Sequence, residues 1–452
     1  MDLAALVDLV GKGDVDTVVA AFPDMYGRLV GKRVTARFFV ETVAKSGMHA
    51  CDYLLGCDVE MDTVPGYKFT NWESGYGDMH CVPDLKTLRL LPWLPKTAFV
   101  ICDLDSVEKH SPLSIAPRNI LKKQLERLKS AGFHAMGASE LEFYLFKDSF
   151  ERAKAKHFHD LETWGWYIED YQLLQGTKEE PVVRAIRNGM EGAGVPIESS
   201  KGEWGPGQHE INVQYCDFLE MSDRHVLFKH GAKEIALQLG HSITFMAKWN
   251  EKFAGSSCHL HSSLWDLKGK TALFHDPKRA DGMSDTFRHW LAGLMAHARE
   301  FAVFYAPYVN SYKRYQSQSF APTKIVWSPD NRTAGFRILG DKSSLRVENR
   351  IPGADANPYL AFAATIAAGL DGIEKKMEPP ARFDGNAYKT DGLPQIPLTL
   401  RDATIELERS EFARAALGAD VVDHYVHMAK TEQRKFDEVV TCWERERHFE
   451  RT

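Results

Sequence analysis

No run in the 452-residue chain approaches the roughly 18 apolar residues that a membrane-crossing helix needs. The richest apolar stretch, YLAFAATIAAGL (359–370), is too short and follows Asn357-Pro358, so no membrane partner is expected. Cysteine is scarce: there are seven, an odd number, with no CxxC spacing. They read as free thiols, buried small hydrophobes in a reducing cytoplasm, and not as a disulfide framework. Positive charge is not in excess. Lys and Arg number 56 against 62 Asp and Glu, a formal charge of -6. That balance argues against a dedicated nucleic-acid binder, which carries a basic face. Internal repeats and low-complexity tracts are absent. So are GxxxxGK[ST] and any strand-GxGxxG-helix unit, so neither a P-loop kinase nor a Rossmann dehydrogenase is supported. The N-terminal MDLAALVDLVGKGDVD lacks a basic segment and reads as a short amphipathic helix, not a signal peptide.

What is present is ordinary for a globular chain, with 44% hydrophobic and 26% charged residues. The length allows two or three domains. Residues 15–105 read as short strands and turns. HSPLSIAP (110–117) is a break, and 118–133 has helical period with Pro117 in the first turn and Gly132 as its stop. The boundary is placed near 112, giving units of 1–112 and 113–452. Helices are expected over 224–247, 288–306 and the charged C-terminal stretch. The Gly-rich segment 188–208 is expected to be a loop leading into a strand.

Four segments share a pattern of alternation, and alternate residues of a strand share a face. Glu140, Glu142 and Tyr144 oppose Leu141, Phe143 and Leu145. Glu210, Asn212 and Gln214 oppose Ile211, Val213 and Tyr215. His259, His261 and Ser263 oppose Cys258 and Leu260. Arg346, Glu348 and Arg350 oppose Leu345 and Val347. One such segment alone is an antiparallel strand with solvated charges. Four together place Glu and His where a solvent face would mix signs, and Glu140 beside Glu142 repels unless a cation intervenes. Carboxylates with imidazole suit Mg²⁺ or Mn²⁺, and forked arginines suit phosphate. The combination points to phosphoryl transfer from a nucleotide. His157 and His159 read as a surface pair, and His225, His230 and His241 as structural residues of one helix.

The blocks SELEFYLF, EWGPGQHEINV, HLHSS, NSYKR…APT, DNRTAGFR and LRVENRIPGADANPYL occur in the order found in the glutamine synthetase family, which the chain resembles over most of its length. The N-terminal GDMHCVPD…LPW resembles the family's smaller domain. The resemblance implies an α+β fold: a small β-grasp-like domain, then a large α/β catalytic domain whose antiparallel sheet lines the site. It implies that Glu142, Glu203 and Glu210 hold one divalent ion and that Glu140, His259 and Glu348 hold a second, with two or three Mg²⁺ or Mn²⁺ per site. ATP is expected at Glu198, Tyr215, His261, Ser263, Arg337 and Arg346. Arg314, Arg332 and Arg350 are expected to hold the acid and the transferring phosphoryl group, with Gly255 beside the amino-acid substrate. The expected assembly is a homo-oligomeric ring, a dodecamer, with sites between subunits.

Two departures bear on substrate. Phe320 stands where ammonia-using members carry the flap glutamate, and the ammonium-binding aspartate of the neighbouring subunit has no clear counterpart beyond Asp62. An organic amine is therefore expected in place of ammonium, with Phe320 and TNWESGY (70–76) as candidate pocket walls. The second departure is Ala254, where those members carry the Asn that helps hold glutamate. The expected reaction is ATP-dependent joining of a glutamate-like acid to an amine through an acyl phosphate. The alternatives are ordinary glutamine synthesis and a catalytically retired member with a structural or regulatory role.

Overall fold

The computed structural model describes Met1–Thr452. Two sheets organise it. The first is built from β1 (Thr17–Pro23), β2 (Leu29–Thr35), β3 (Met48–Cys51), β4 (Asp78–Pro83), β5 (Arg89–Leu90) and β6 (Thr97–Ser106). Its order is β2-β1-β6-β4-β3, with β5 also on β6. β6 is buried from Thr97 to Cys102 and again at Leu104, so both of its faces are covered there.

The second sheet comprises β7 (His134–Phe146), β8 (Ile197–Gly202), β9 (Gln208–Val213), β10 (Cys216–Asp217), β11 (Ser242–Thr244), β12 (Cys258–Trp265), β13 (Trp327–Pro329), β14 (Phe336–Leu339) and β15 (Arg346–Asn349). The order is β13-β14-β15-β12-β7-β9-β8, with β10 and β11 also paired to β7. Only β13 and β14 run parallel. The register decides the chemistry. Glu140 sits opposite His259 and Glu142 opposite Glu210. Glu348 sits opposite His261 on one side and Arg337 on the other. Directly paired residues of antiparallel strands hold their side chains about 5 Å apart, so the polar face becomes a cluster.

Helices cover the opposite face. Pro117–Ser130 starts on its proline and ends before Gly132, whose φ of 92° is left-handed. Pro358–Glu374 is buried almost throughout, so its run of alanines and aromatics is a core helix. It crosses Asp285–Ala296 at very short range. A Cβ on Gly293 would lie 2.1 Å from the Ala368 carbonyl oxygen.

The structure corrects four local expectations. Residues 188–192 finish the Leu173–Gly192 helix, and 197–202 form β8, so this stretch is not one loop. Its glycines serve packing: a Cβ on Gly189 would meet Ile235, and one on Gly192 would meet Pro92. The helix expected over 224–247 is Phe218–Gln238, stopped by Gly240 at φ 77°. His241 therefore lies outside it, against Trp164. The helix expected over 288–306 is Asp285–Ala296 followed by a separate turn of helix at Ala302–Tyr305. All seven cysteines are free, but only Cys57, Cys81, Cys102 and Cys258 are buried, while Cys51 and Cys442 are exposed.

Candidate active site

Two cavities meet along β7. The smaller, about 170 Å³, is lined by Glu142, Glu203, Glu210, His259, Glu348, Gly255 and Phe320, together with Arg314, Arg332, Arg337 and Arg350. The larger, about 390 Å³, is lined by Glu198, Tyr215, His261, Ser263 and Arg346. Glu140 lines both. Every residue expected to bind metal, ATP, the acid or the transferring phosphoryl group thus reaches one cavity or the other, and Arg337 lies on the carboxylate side. Glu198 arrives through a bulge: β8 shifts register against β9 between Ile197 and Ser199, leaving Glu198 unpaired and re-aimed. Tyr215 was expected on the face opposite Asn212. β9 ends at Val213, so alternation no longer binds it, and it lines the same cavity as Asn212.

The carboxylates fall into two groups. Glu142, Glu203 and Glu210 bring ligand oxygens within 4.8 Å of one another. Burial and the facing Glu203 push Glu142 up to about 7, against the pull of the Ser257 hydroxyl and N–H. Burial, then Glu140 and Glu203, push Glu210 well above the carboxylate range. In the second group, Glu140, His261 and Glu348 meet within the same limit. His259 belongs with them, its Nδ1 being 3.2 Å from Glu140 and 3.3 Å from Glu348. His259 faces the smaller cavity and His261 the larger. Burial alone would raise Glu140, yet hydrogen bonds with His259 and His261 hold it well below its usual range. Burial likewise opposes, and Arg350 and the histidines overcome, a lowered Glu348.

The donor sets fit divalent cations. Like-charged carboxylates this close need a counter-charge, and the Lys201 ammonium already leans on Glu203. Burial would lower Lys201, but Glu210 and Glu203 raise it.

The arginines are tied in place. Arg350 donates to Glu348 at 2.7 Å and to the Phe320 carbonyl at 3.3 Å. Arg337 donates to Glu348 at 3.2 Å. Arg314 donates to the Ile351 carbonyl. Arg346 donates to His261 at 3.2 Å. Phe320 has a φ of 58°, a left-handed backbone that a bulky residue adopts only when its surroundings enforce it. Its ring meets Trp204 edge-on at 5.3 Å, and the Tyr388 hydroxyl donates to the next carbonyl, that of Ala321, at 2.8 Å.

Sequence reasoning missed Lys201, Trp204, Asp170 and Tyr171, all of which line the smaller cavity. Trp204 lies inside the EWGPGQ block and Lys201 two residues before it, so both were within reach. Asp170 and Tyr171 sit in an irregular segment with no period to read. Trp72 of the 70–76 segment packs on Tyr76 and lines neither cavity within this chain. Asp62 lies with Asp58 and Glu60 around Lys435. His157 and His159 are exposed, and His225 is buried with Nδ1 3.0 Å from the Ser139 hydroxyl.

An acidic, arginine-rich floor joined to a second cavity defines a nucleotide-using, cation-assisted enzyme. The glutamine synthetase catalytic-domain profile matches residues 114–448. The chain is 50% identical to the γ-glutamylethanolamide synthetase GlnA4 of Streptomyces coelicolor over 98% of its length and 94% of that protein's. It is 39% identical to the glutamate–isopropylamine ligase of a Pseudomonas species, over 98% and 97% respectively. A structure of a GmaS/ADP complex superposes with a TM-score of 0.86 at 28% identity, covering 98% of this chain and 99% of that one. The chain belongs to the glutamine synthetase family. Its α+β architecture is the one that family resemblance implied.

Proposed function

We propose that the protein is an ATP-dependent ligase that joins the γ-carboxylate of glutamate to a small organic amine through an acyl phosphate. Phe320 carries the reading. A phenyl ring packed on Trp204 stands at the mouth of the acidic cavity, where the family's ammonia-using members place a glutamate. It neither attracts ammonium nor takes a proton from it, and it offers an apolar seat to the substituent of an amine. The relatives named for ethanolamide and isopropylamine chemistry support the same direction.

Each residue then has a task. Glu198, Tyr215, Ser263, His261 and Arg346 hold the nucleotide in the larger cavity. Glu140, His259 and Glu348 on one side, and Glu142, Glu203 and Glu210 on the other, hold Mg²⁺ or Mn²⁺. When bound, such ions neutralise the charge that develops on the phosphoryl oxygens. Arg337 and Arg350, both fixed on Glu348, present guanidinium forks to the phosphoryl group as it moves, and Arg332 reaches it from the rim. Arg314 and Gly255 hold the amino acid. Phe320 and Trp204 keep water from the acyl phosphate while the amine attacks the activated carbonyl. The proposal includes two units, 1–112 and 113–452, and a ring in which a neighbouring subunit completes the site.

Phosphate release is the test, with ATP, Mg²⁺ or Mn²⁺ and L-glutamate supplied and ammonia, methylamine, isopropylamine, ethanolamine, putrescine or aniline compared. The expected result is a kcat/KM for an organic amine at least about tenfold above that for ammonia. Best turnover with ammonia would overturn the reading.

A further inference from the structure

On the side of β9 opposite Glu210, three titratable side chains converge that the reaction does not use. Glu169 comes from the segment before the Leu173–Gly192 helix, Glu179 from that helix and His209 from β9. They are 0%, 1% and 2% exposed, and one ligand atom from each lies within 4.8 Å of the others. One oxygen of Glu169 accepts the Gly207 N–H. Its other oxygen, both oxygens of Glu179 and Nε2 of His209 have no hydrogen-bond partner. Nε2 faces a Glu179 oxygen at contact distance.

Beyond the His209 imidazole, no basic side chain comes within ion-pair distance of the two carboxylates. Lys178, next to Glu179 in sequence, donates to Gln175 and lies over the Trp166 ring. Lys201 is engaged with Glu203. Two carboxylates out of reach of water, with one backbone donor and one imidazole against them, call for a further cation or a proton between them.

We propose that Glu169, Glu179 and His209 form a structural cation site for a divalent transition ion of the zinc class. The donor set repeats that of Glu140, His259 and Glu348, but this space is closed, with all three side chains at most 2% exposed, and so suits an ion that keeps few ligands and no water. Mg²⁺ and Ca²⁺ favour more oxygens and retain water. The site ties three parts of the fold together behind the reaction centre. Glu169 also donates its own N–H to the Glu203 carbonyl at 3.2 Å, and Asp170 and Tyr171, which follow it, line the acidic cavity. An ion here would fix the wall on the amine side whichever amine is used.

Metal counting by inductively coupled plasma mass spectrometry tests this. Full-length protein is given Zn²⁺, then desalted in excess Mg²⁺ to displace Zn²⁺ from the catalytic groups. Wild type and Glu142→Gln are expected to retain about one zinc ion per chain, whereas Glu179→Gln and His209→Gln retain none. A strong chelator should lower the melting temperature of wild type and leave that of the two variants unchanged. If the variants do not fold, anomalous scattering at the zinc edge from wild-type crystals decides, with a peak between Glu179 and His209 expected. Zinc retained equally by Glu179→Gln, or a wild-type cluster holding no ion, overturns the proposal; the latter result would mean a proton shared by the two carboxylates.

Discussion

Phe320 joins a strained backbone to the side chain on which the proposed amine preference rests. Arg350 and Tyr388 hold the carbonyls of Phe320 and Ala321, so the loop's conformation does not depend on the ring itself. Phe320→Glu should therefore keep the loop and change its chemistry. We expect the ratio of kcat/KM for ammonia to that for ethanolamine to rise by about tenfold or more, measured by phosphate release; an unchanged ratio would show that specificity lies elsewhere. Glu142 gives a pH dependence. Its folded value of about 7 exceeds the unfolded value of about 4.3, so the folded apo protein holds the extra proton between them. Stability from this group is full below the lower value and is lost as pH rises through the upper one. A cation must displace that proton and the one burial keeps on Glu210, so Mn²⁺ affinity should strengthen by about tenfold per unit or more as pH rises toward 7. Calorimetric titration checks this, and Glu142→Gln should flatten the slope.

Among the elements, β7, β12 and β15 were legible because one face of each packs on the core and the other carries polar side chains, which leaves a period of two in the sequence. Pairing partners and register were not, since they follow from long-range packing, and they are what bring His259 to Glu140. Glycine misled at 189 and 192, where it allows close approach and not a turn. Glu169, Glu179 and His209 carry no shared period, so nothing in the sequence unites them. The same use of glycine governs the crossing of Asp285–Ala296 with Pro358–Glu374. A Cβ on Gly372 would lie 2.0 Å from the His289 carbonyl oxygen, and one on Gly369 would lie 2.1 Å from the Trp290 ring. Gly293→Ala should cost about 1–3 kcal/mol by overpacking, read as a lowered midpoint in denaturant unfolding. A midpoint within error of wild type would show that the helices can separate freely.

At the scale of the whole molecule, no helix is long and apolar enough to cross a membrane. The surface is nonetheless apolar near the C-terminus, where Val439, Val440, Trp443 and Phe449 are all exposed. Exposed apolar side chains of this kind are where the subunits of the proposed ring are expected to meet. Mass photometry should find a dodecamer, and removal of residues 439–452 should shift the population to smaller species. A monomer in the intact protein would refute the ring.

Glu140 and Glu142 stand two residues apart on β7, a separation of about 7 Å along a strand. One faces both cavities and the other the acidic one alone. In the proposed reaction the strand is thus a ruler between the nucleotide end and the acceptor end, and its graduation is a backbone constant that no side-chain change can alter. The donor half of the chemistry is locked to that scale. The amine half, on the same proposal, is built from loop side chains at Asp170, Trp204 and Phe320, which can change without altering that spacing.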